Sequence, residues 1–125
     1  GRPAGLSKGW YVEPTLFADV DNDMKIAREE IFGPVLVAIP YEGQDDAVRI
    51  ANQSDYGLSG SVWTADLDRG YQVATKVRTG TYNVNGFIID FGSPFGGYKA
   101  SGIGREFGPE GISAYTEAKS IAFFG

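Results

Sequence analysis

A chain of 125 residues with a net charge of −5, 42% hydrophobic and 22% charged, has the composition of one small globular domain and lacks the basic footprint of a nucleic-acid binder. It contains no cysteine and no histidine, which removes disulfides, thiolate metal sites, a cysteine nucleophile and the commonest general base. No apolar run approaches the roughly 18 residues of a membrane span and no signal-peptide pattern opens the chain, so a cytoplasmic protein is the default expectation.

Residues 1–10 are rich in Gly, Pro and Ser and read as loop. The chain opens at Gly1 without an initiator Met, inside that turn, and reads as the product of processing, truncation or an engineered boundary. Residues 11–20 carry β-branched and aromatic side chains around Pro14, an extended segment at a sheet edge. Asp21 or Asn22 is placed to cap a short helix over 24–30, which Gly33-Pro34 stops. Residues 35–41 form a near-continuous apolar run, the pattern of a strand covered on both faces in a parallel sheet. Over 45–53, Ala47, Val48, Ile50 and Ala51 share a helical stripe, and Gly57 ends that unit.

Residues 59–64 predict a second strand. Asp66 caps a helix over 67–78 with Leu67, Tyr71, Ala74 and Val77 facing inward and Gly80 as its C-cap. Residues 81–85 follow as a third strand, 86–104 as a Gly-rich loop, 106–115 as a short helix and 120–124 as a final strand. The alternation predicts an α/β fold with a parallel sheet of βαβ units. About two crossover helices over three or four strands are thin cover, so some apolar surface should be left exposed.

Four stretches invite a chemical reading. In Glu29-Glu30-Ile31-Phe32-Gly33-Pro34 an acid and a ring share a turn into the apolar strand, where a carboxylate can accept both hydrogen bonds of a ribose diol. A helix C-terminus with a packing aromatic accounts for the same residues and is favoured on physical grounds alone. The Gly-rich run from Ser93 through Pro94-Phe95-Gly96-Gly97 to Gly104-Arg105-Glu106 is neither a dinucleotide fingerprint, because Phe107 stands where the third glycine belongs, nor a Walker loop. A compact structural loop is its plainer account. Asp19, Asp21, Asp23 and Glu30 match calcium-loop positions, but Met24 occupies the position of the turn glycine, so an acidic helix-capping turn is preferred and no metal is expected. Gly5-Leu6-Ser7-Lys8-Gly9 has nucleophile-elbow spacing without a preceding buried strand or any histidine, and is set aside.

Taken in order, Trp10 to Phe17, Glu29 to Val35, Ala51 to Leu58, Gly80 to Asn85, Ser93 to Gly102 and Ala114 to Ile121 resemble the aldehyde dehydrogenase superfamily over nearly the whole chain. The acid-x-aromatic-Gly-Pro and Pro-Phe-Gly-Gly elements are its most specific marks. The resemblance implies the later part of the catalytic α/β domain over 1–115 and the C-terminal oligomerisation strand over 116–125. It implies an enzyme in which a cysteine thiolate attacks the aldehyde, hydride passes to NAD or NADP, and the thioester is hydrolysed to the acid.

By the same resemblance Glu30 holds the nicotinamide ribose and Phe32 lies beside the nicotinamide. Ile88, Phe91 and Phe95 form the mouth of the aldehyde tunnel, and Glu106 assists proton movement. The family's catalytic cysteine, general-base glutamate, oxyanion asparagine and dinucleotide domain belong to sequence upstream of Gly1. The chain alone is therefore expected to be inactive and to bind no cofactor, with the upstream part and a homo-oligomeric partner as its associates. A non-catalytic interaction module, pairing the apolar segment 118–124 with another subunit's sheet edge, is the alternative.

Overall fold

The computed structural model describes residues 1–125, which divide into two compact units, Gly1–Ile50 and Ala51–Gly125. The elements in order are β1 (Thr15–Phe17), α1 (Lys25–Arg28), β2 (Val35–Val37), α2 (Gly43–Asn52), β3 (Tyr56–Gly57), β4 (Ser59–Val62), α3 (Leu67–Lys76), β5 (Thr81–Val84), β6 (Tyr98–Lys99) and α4 (Gly108–Ser113). No helix is long and apolar enough to cross a membrane. The strands form three separate two-stranded ladders, where the sequence predicts a single sheet.

In the first unit β1 and β2 run parallel with Leu16 opposite Leu36. The ladder is prolonged by Ala38 N–H donating to the Phe17 carbonyl at 2.8 Å and Val20 N–H to the Ala38 carbonyl at 3.1 Å. Pro40 has no N–H to continue it. The run at 35–41 is thus a three-residue strand, and Leu36 is 70% exposed. Its apolar face is not covered within the chain, against the expectation of a strand buried on both sides. Helix α1 is a single turn preceded by Met24, with no side-chain cap. Asp21 instead closes an Asx turn, its Oδ1 accepting from Asp23 N–H at 2.8 Å, because a short carboxylate competes for nearby backbone donors. Helix α2 begins at Gly43, two residues before the predicted start, and Asp46 Oδ2 accepts from Glu42 N–H at 2.9 Å.

The second unit contains β4, α3 and β5, with β4 parallel to β5 and Ser61 opposite Asn83. Asp66 caps α3 as the sequence indicates, its Oδ1 accepting from Arg69 N–H at 3.0 Å. The helix packs on both strands, but through Gly70, which is buried, together with the half-buried Val73, Ala74 and Val77. Leu67 and Tyr71, predicted inward, are exposed. Gly70 explains the shift, since a Cβ there would lie 2.7 Å from Val84 Cγ1. The helix backbone comes so close to the strand that the seam is narrower than a stripe of large side chains.

Gly80 is not a C-cap either. The helix ends at Lys76 with Val77 extended, and a Cβ on Gly80 would stand 1.5 Å from the Gly96 carbonyl oxygen. Its missing side chain serves a backbone contact. Gly57 likewise ends no helix. It pairs antiparallel with Tyr98, and Ser101 Oγ accepts from its N–H at 3.0 Å. Helix α4 occupies only 108–113 of the predicted 106–115. Residues 120–124 form no strand, because a strand requires a neighbouring ladder and none pairs with them, leaving Phe123 91% and Phe124 97% exposed.

Five residues are buried: Val20 in the first unit, the lone apolar side chain among them, and the glycines Gly57, Gly70, Gly97 and Gly111 in the second. Backbone approach therefore dominates the interior of the second unit more than interlocked side chains do. Gly80→Ala should destabilise the protein by about 3 kcal/mol or more, since neither backbone can yield cheaply. Gly86→Ala, where no atom lies within 4 Å of the added Cβ, should change stability by no more than about 0.5 kcal/mol. Urea denaturation of both variants checks the contrast.

Candidate functional site

The best-formed concavity of the second unit has a volume of about 440 Å³. Its floor is the start of β5, Thr81 to Asn83, with Leu58 and Ser59 at the start of β4. One wall is the loop Phe87 to Asp90, and Ser93, Pro94 and Phe95 close the other side. The pairing of β4 with β5 in parallel places these strand starts next to one another.

The loop is fixed at two points. Ile88 N–H donates to Asn83 Oδ1 at 3.3 Å. Asp90 Oδ1 accepts from Gly92 N–H at 2.9 Å while Oδ2 accepts from the Ser93 hydroxyl at 2.5 Å, an Asx turn that sets the direction of the chain into Pro94. These bonds, the Ser93 hydroxyl first and the Gly92 N–H second, hold the Asp90 carboxyl below the usual carboxylate range. Tyr82 donates its hydroxyl to the Ser61 carbonyl at 3.2 Å, and burial pushes that phenol above its ordinary value. Asn85 extends the β4–β5 pairing with its side chain, accepting from Thr64 N–H and donating to the Thr64 carbonyl, both at 2.7 Å.

Of the predicted tunnel residues, Ile88 and Phe95 line this concavity together and Phe91 does not. Phe91 packs edge-on against Phe107 at 4.9 Å between ring centroids. It contacts the loop from outside this concavity. Glu106 is exposed and is tied to Phe95 by a backbone bridge, two N–H···O bonds of 2.7 Å. It lines a second hollow of about 380 Å³ that shares Leu58 and Phe95 with the first. Phe95 thus stands between the two hollows.

The cations of the Gly-rich run hold backbone. Lys99 Nζ donates to the carbonyls of Asn52 at 3.0 Å and Ser54 at 2.8 Å. Arg105 Nη1 donates to Gly97 and Gly104 carbonyls at 3.0 and 2.6 Å and lies over the Tyr98 ring. The run is the clamped structural loop of the plainer account, and it also presents Phe95.

In the first unit, Glu30 and Phe32 are both exposed. Glu29 is the carboxylate that pairs with Lys25, at 3.5 Å, and Glu30 faces solvent beside it. Phe32 has a positive φ of 57° and is 91% exposed. Neither side chain is interred in packing. The acidic turn upstream is occupied internally, with Asp23 Oδ1 accepting from Arg28 Nη2 at 2.6 Å, and no group of three candidate metal ligands assembles.

Sequence reasoning missed Asn83 and Asp90. The signal for Asp90 was the Asp-x-Gly-Ser string, an Asx-turn sequence hidden inside a loop that was read only for its glycines. Asn83 gave no local signal, because its acceptor role depends on the return of the loop.

The aldehyde dehydrogenase family profile matches residues 1–121, and the chain belongs to that family. It is 57% identical over all 125 residues to the geranial dehydrogenase of Castellaniella defragrans, covering 26% of that protein. It is 50% identical over 121 residues to a 3-succinoylsemialdehyde-pyridine dehydrogenase of a Pseudomonas species, covering 97% of this chain and 25% of the relative. Among solved structures, a Mycobacterium tuberculosis aldehyde dehydrogenase complexed with NAD⁺ aligns with a TM-score of 0.90 at 60% identity, over 94% of this chain and 24% of that one. A mutant of aldehyde dehydrogenase C from Pseudomonas syringae, in complex with NAD⁺ and octanal, aligns with a TM-score of 0.92 at 48% identity, over 97% and 25%. The chain spans about a quarter of the length of the curated relatives it matches.

Asp90 contributes to loop order above its unfolded pKa of about 4, and that contribution is lost as pH falls through its lowered folded value. Ser93→Ala removes the leading cause of the lowering. The Asp90 titration, followed by carboxyl NMR, should move upward towards the ordinary range, and the Gly92 amide should lose its fixed environment at a higher pH than in the parent.

Proposed function

We propose that this chain supplies the later part of the catalytic α/β domain, with residues 116–125 as an oligomerisation strand, to an NAD(P)-dependent aldehyde dehydrogenase. The family match over 1–121 carries the reading, and the shared concavity of Ile88 and Phe95 gives it a place for substrate. The reaction is aldehyde plus NAD(P)⁺ plus water to carboxylate, NAD(P)H and two protons. Geranial is named for one relative and octanal is bound in the structure of another, which supports an aldehyde as substrate. NAD⁺ in the two related structures supports the nicotinamide cofactor.

Within that enzyme the exposed Glu30 carboxylate accepts hydrogen bonds from the nicotinamide ribose, and the Phe32 ring packs beside the nicotinamide. NAD(P)⁺, when bound, would supply the hydride acceptor for oxidation of the aldehyde carbon. Ile88 and Phe95 guide the aldehyde, Phe91 backs the loop through Phe107, and the Glu106 carboxylate moves protons during hydrolysis. A thiolate nucleophile has to come from outside these 125 residues, which contain no cysteine. The exposed tail, with Ile121 71%, Phe123 91% and Phe124 97% accessible, has the character of a strand that adds to another subunit's sheet.

Two outcomes follow. The pure 125-residue chain, given aldehydes and NAD⁺ or NADP⁺, should show no absorbance growth from NAD(P)H; measurable turnover would mean that a nucleophile other than cysteine operates here. In the complete enzyme, Glu30→Ala removes charge-assisted bonds to the ribose and should lower kcat/KM for the cofactor by about 10- to 100-fold. An unchanged cofactor KM and kcat would remove Glu30 from the nicotinamide site.

A further inference from the structure

The proposed reaction leaves open which aldehydes the site takes, and the concavity bears on that choice. Leu58, Tyr82, Phe87, Ile88, Ile89 and Phe95 make it largely apolar. The tyrosine's hydroxyl is already engaged with the Ser61 carbonyl. No lysine or arginine lines the concavity, and its one carboxylate is Asp90. Both Asp90 oxygens accept hydrogen bonds, from Gly92 N–H and the Ser93 hydroxyl, which fixes the charge in position and favours its anionic form. Every remaining lining residue is uncharged.

An aldehyde with a carboxylate tail would lose water against the apolar wall, find no cation among these lining residues, and face a fixed like charge. Desolvation and repulsion act with the same sign. An aldehyde with a hydrocarbon tail would gain from the same wall. We infer that Asp90 is a specificity-determining residue that selects against aldehydes with anionic tails, in a site whose walls favour apolar ones. The inference rests on the dehydrogenase reading and deepens it by naming the substrate class.

The test uses the complete enzyme with three probes: butanal, octanal, and succinic semialdehyde, which matches butanal in carbon count but ends in a carboxylate. In the parent, kcat/KM should rise by about three- to fourfold per methylene from butanal towards octanal, as apolar burial requires. Succinic semialdehyde should fall at least about tenfold below butanal. Asp90→Asn keeps an acceptor for Gly92 N–H, turns the second bond into one donated by the amide to the Ser93 hydroxyl oxygen, and removes the charge. The ratio of semialdehyde to butanal kcat/KM should then rise by about three- to tenfold at low salt, and the gap between variant and parent should close near 1 M salt.

Ser93→Ala perturbs the same turn while keeping the charge, and should leave that ratio low. A purely structural role for Asp90 predicts the reverse, with both variants weakening all three substrates in parallel. Should Asp90→Asn not fold, the parent alone decides, because its semialdehyde-to-butanal ratio must rise with salt. Turnover of all three probes with a salt-independent ratio overturns this inference and leaves the dehydrogenase reading intact. Failure of every aldehyde, with cofactor bound, overturns the dehydrogenase reading itself.

Discussion

The backbone of Gly80 lies against the carbonyl of Gly96, so closely that a Cβ would stand 1.5 Å from that oxygen. Much of the candidate site depends on this approach. Gly80 is the residue before β5, and its N–H donates to the Gly57 carbonyl at 3.0 Å, anchoring it to the turn before β4. Gly96 follows Phe95, whose backbone is bridged to Glu106. One contact between two glycines therefore fixes the aromatic wall of the concavity against its strand floor. Larger residues at either position would open a gap between wall and floor, and the 440 Å³ hollow would lose one side.

Local grammar in the sequence was legible where it acts through nearest neighbours. Asp66 reads as a cap because its oxygen needs only the N–H three residues on, and it does so in the fold. The segments at 59–64 and 81–85 read as strands and pair in parallel. Glycines were legible as unusual but not in their purpose. Gly80 after a helix suggests a C-cap, yet its role is set by Gly96, sixteen positions away in a loop whose return no local pattern announces. Leu67 and Tyr71 were misassigned for a related reason. Hydrophobic periodicity weighs large side chains, whereas the α3 contact is made by Gly70, which contributes nothing to that pattern. Phe91 packs against Phe107, a pairing between residues on different segments that no local pattern announces.

The uncovered faces have a common cause. Leu16 and Leu36 are directly opposed in the β1–β2 ladder and remain 64% and 70% exposed. Trp63 just beyond β4 is 73% exposed, and Ile121 in the tail 71%. Isolated exposed apolar residues are ordinary, but opposed pairs along a ladder are not. Two-stranded ladders by themselves are marginal in water, and these retain the composition of strands within a larger sheet. The chain spans about a quarter of its relatives' length, and its ladders carry faces that neighbouring strands or helices would cover. The same argument explains why the run at 35–41 looks buried in the sequence and is not buried here.

Backbone strain is compensated differently in the two units. Lys99, Phe107 and Phe32 all adopt positive φ without being glycine, at 56°, 59° and 57°, a conformation that costs about 1 kcal/mol for an L residue. Lys99 is compensated by its two carbonyl bonds. Phe107 is compensated by its ring contacts with Phe91 at 4.9 Å and Phe95 at 6.0 Å. Phe32, almost wholly exposed, has no comparable return within the chain. A bulky residue held in a disfavoured backbone angle with its ring in solvent needs contacts from elsewhere to make that angle worthwhile. Under the dehydrogenase reading a nicotinamide ring supplies them, and the strained turn fixes where that ring is met. The Phe95 wall of the second unit is thus stabilised from within, by ring contacts and clamped carbonyls, while the Phe32 turn of the first unit has no such contacts within the chain.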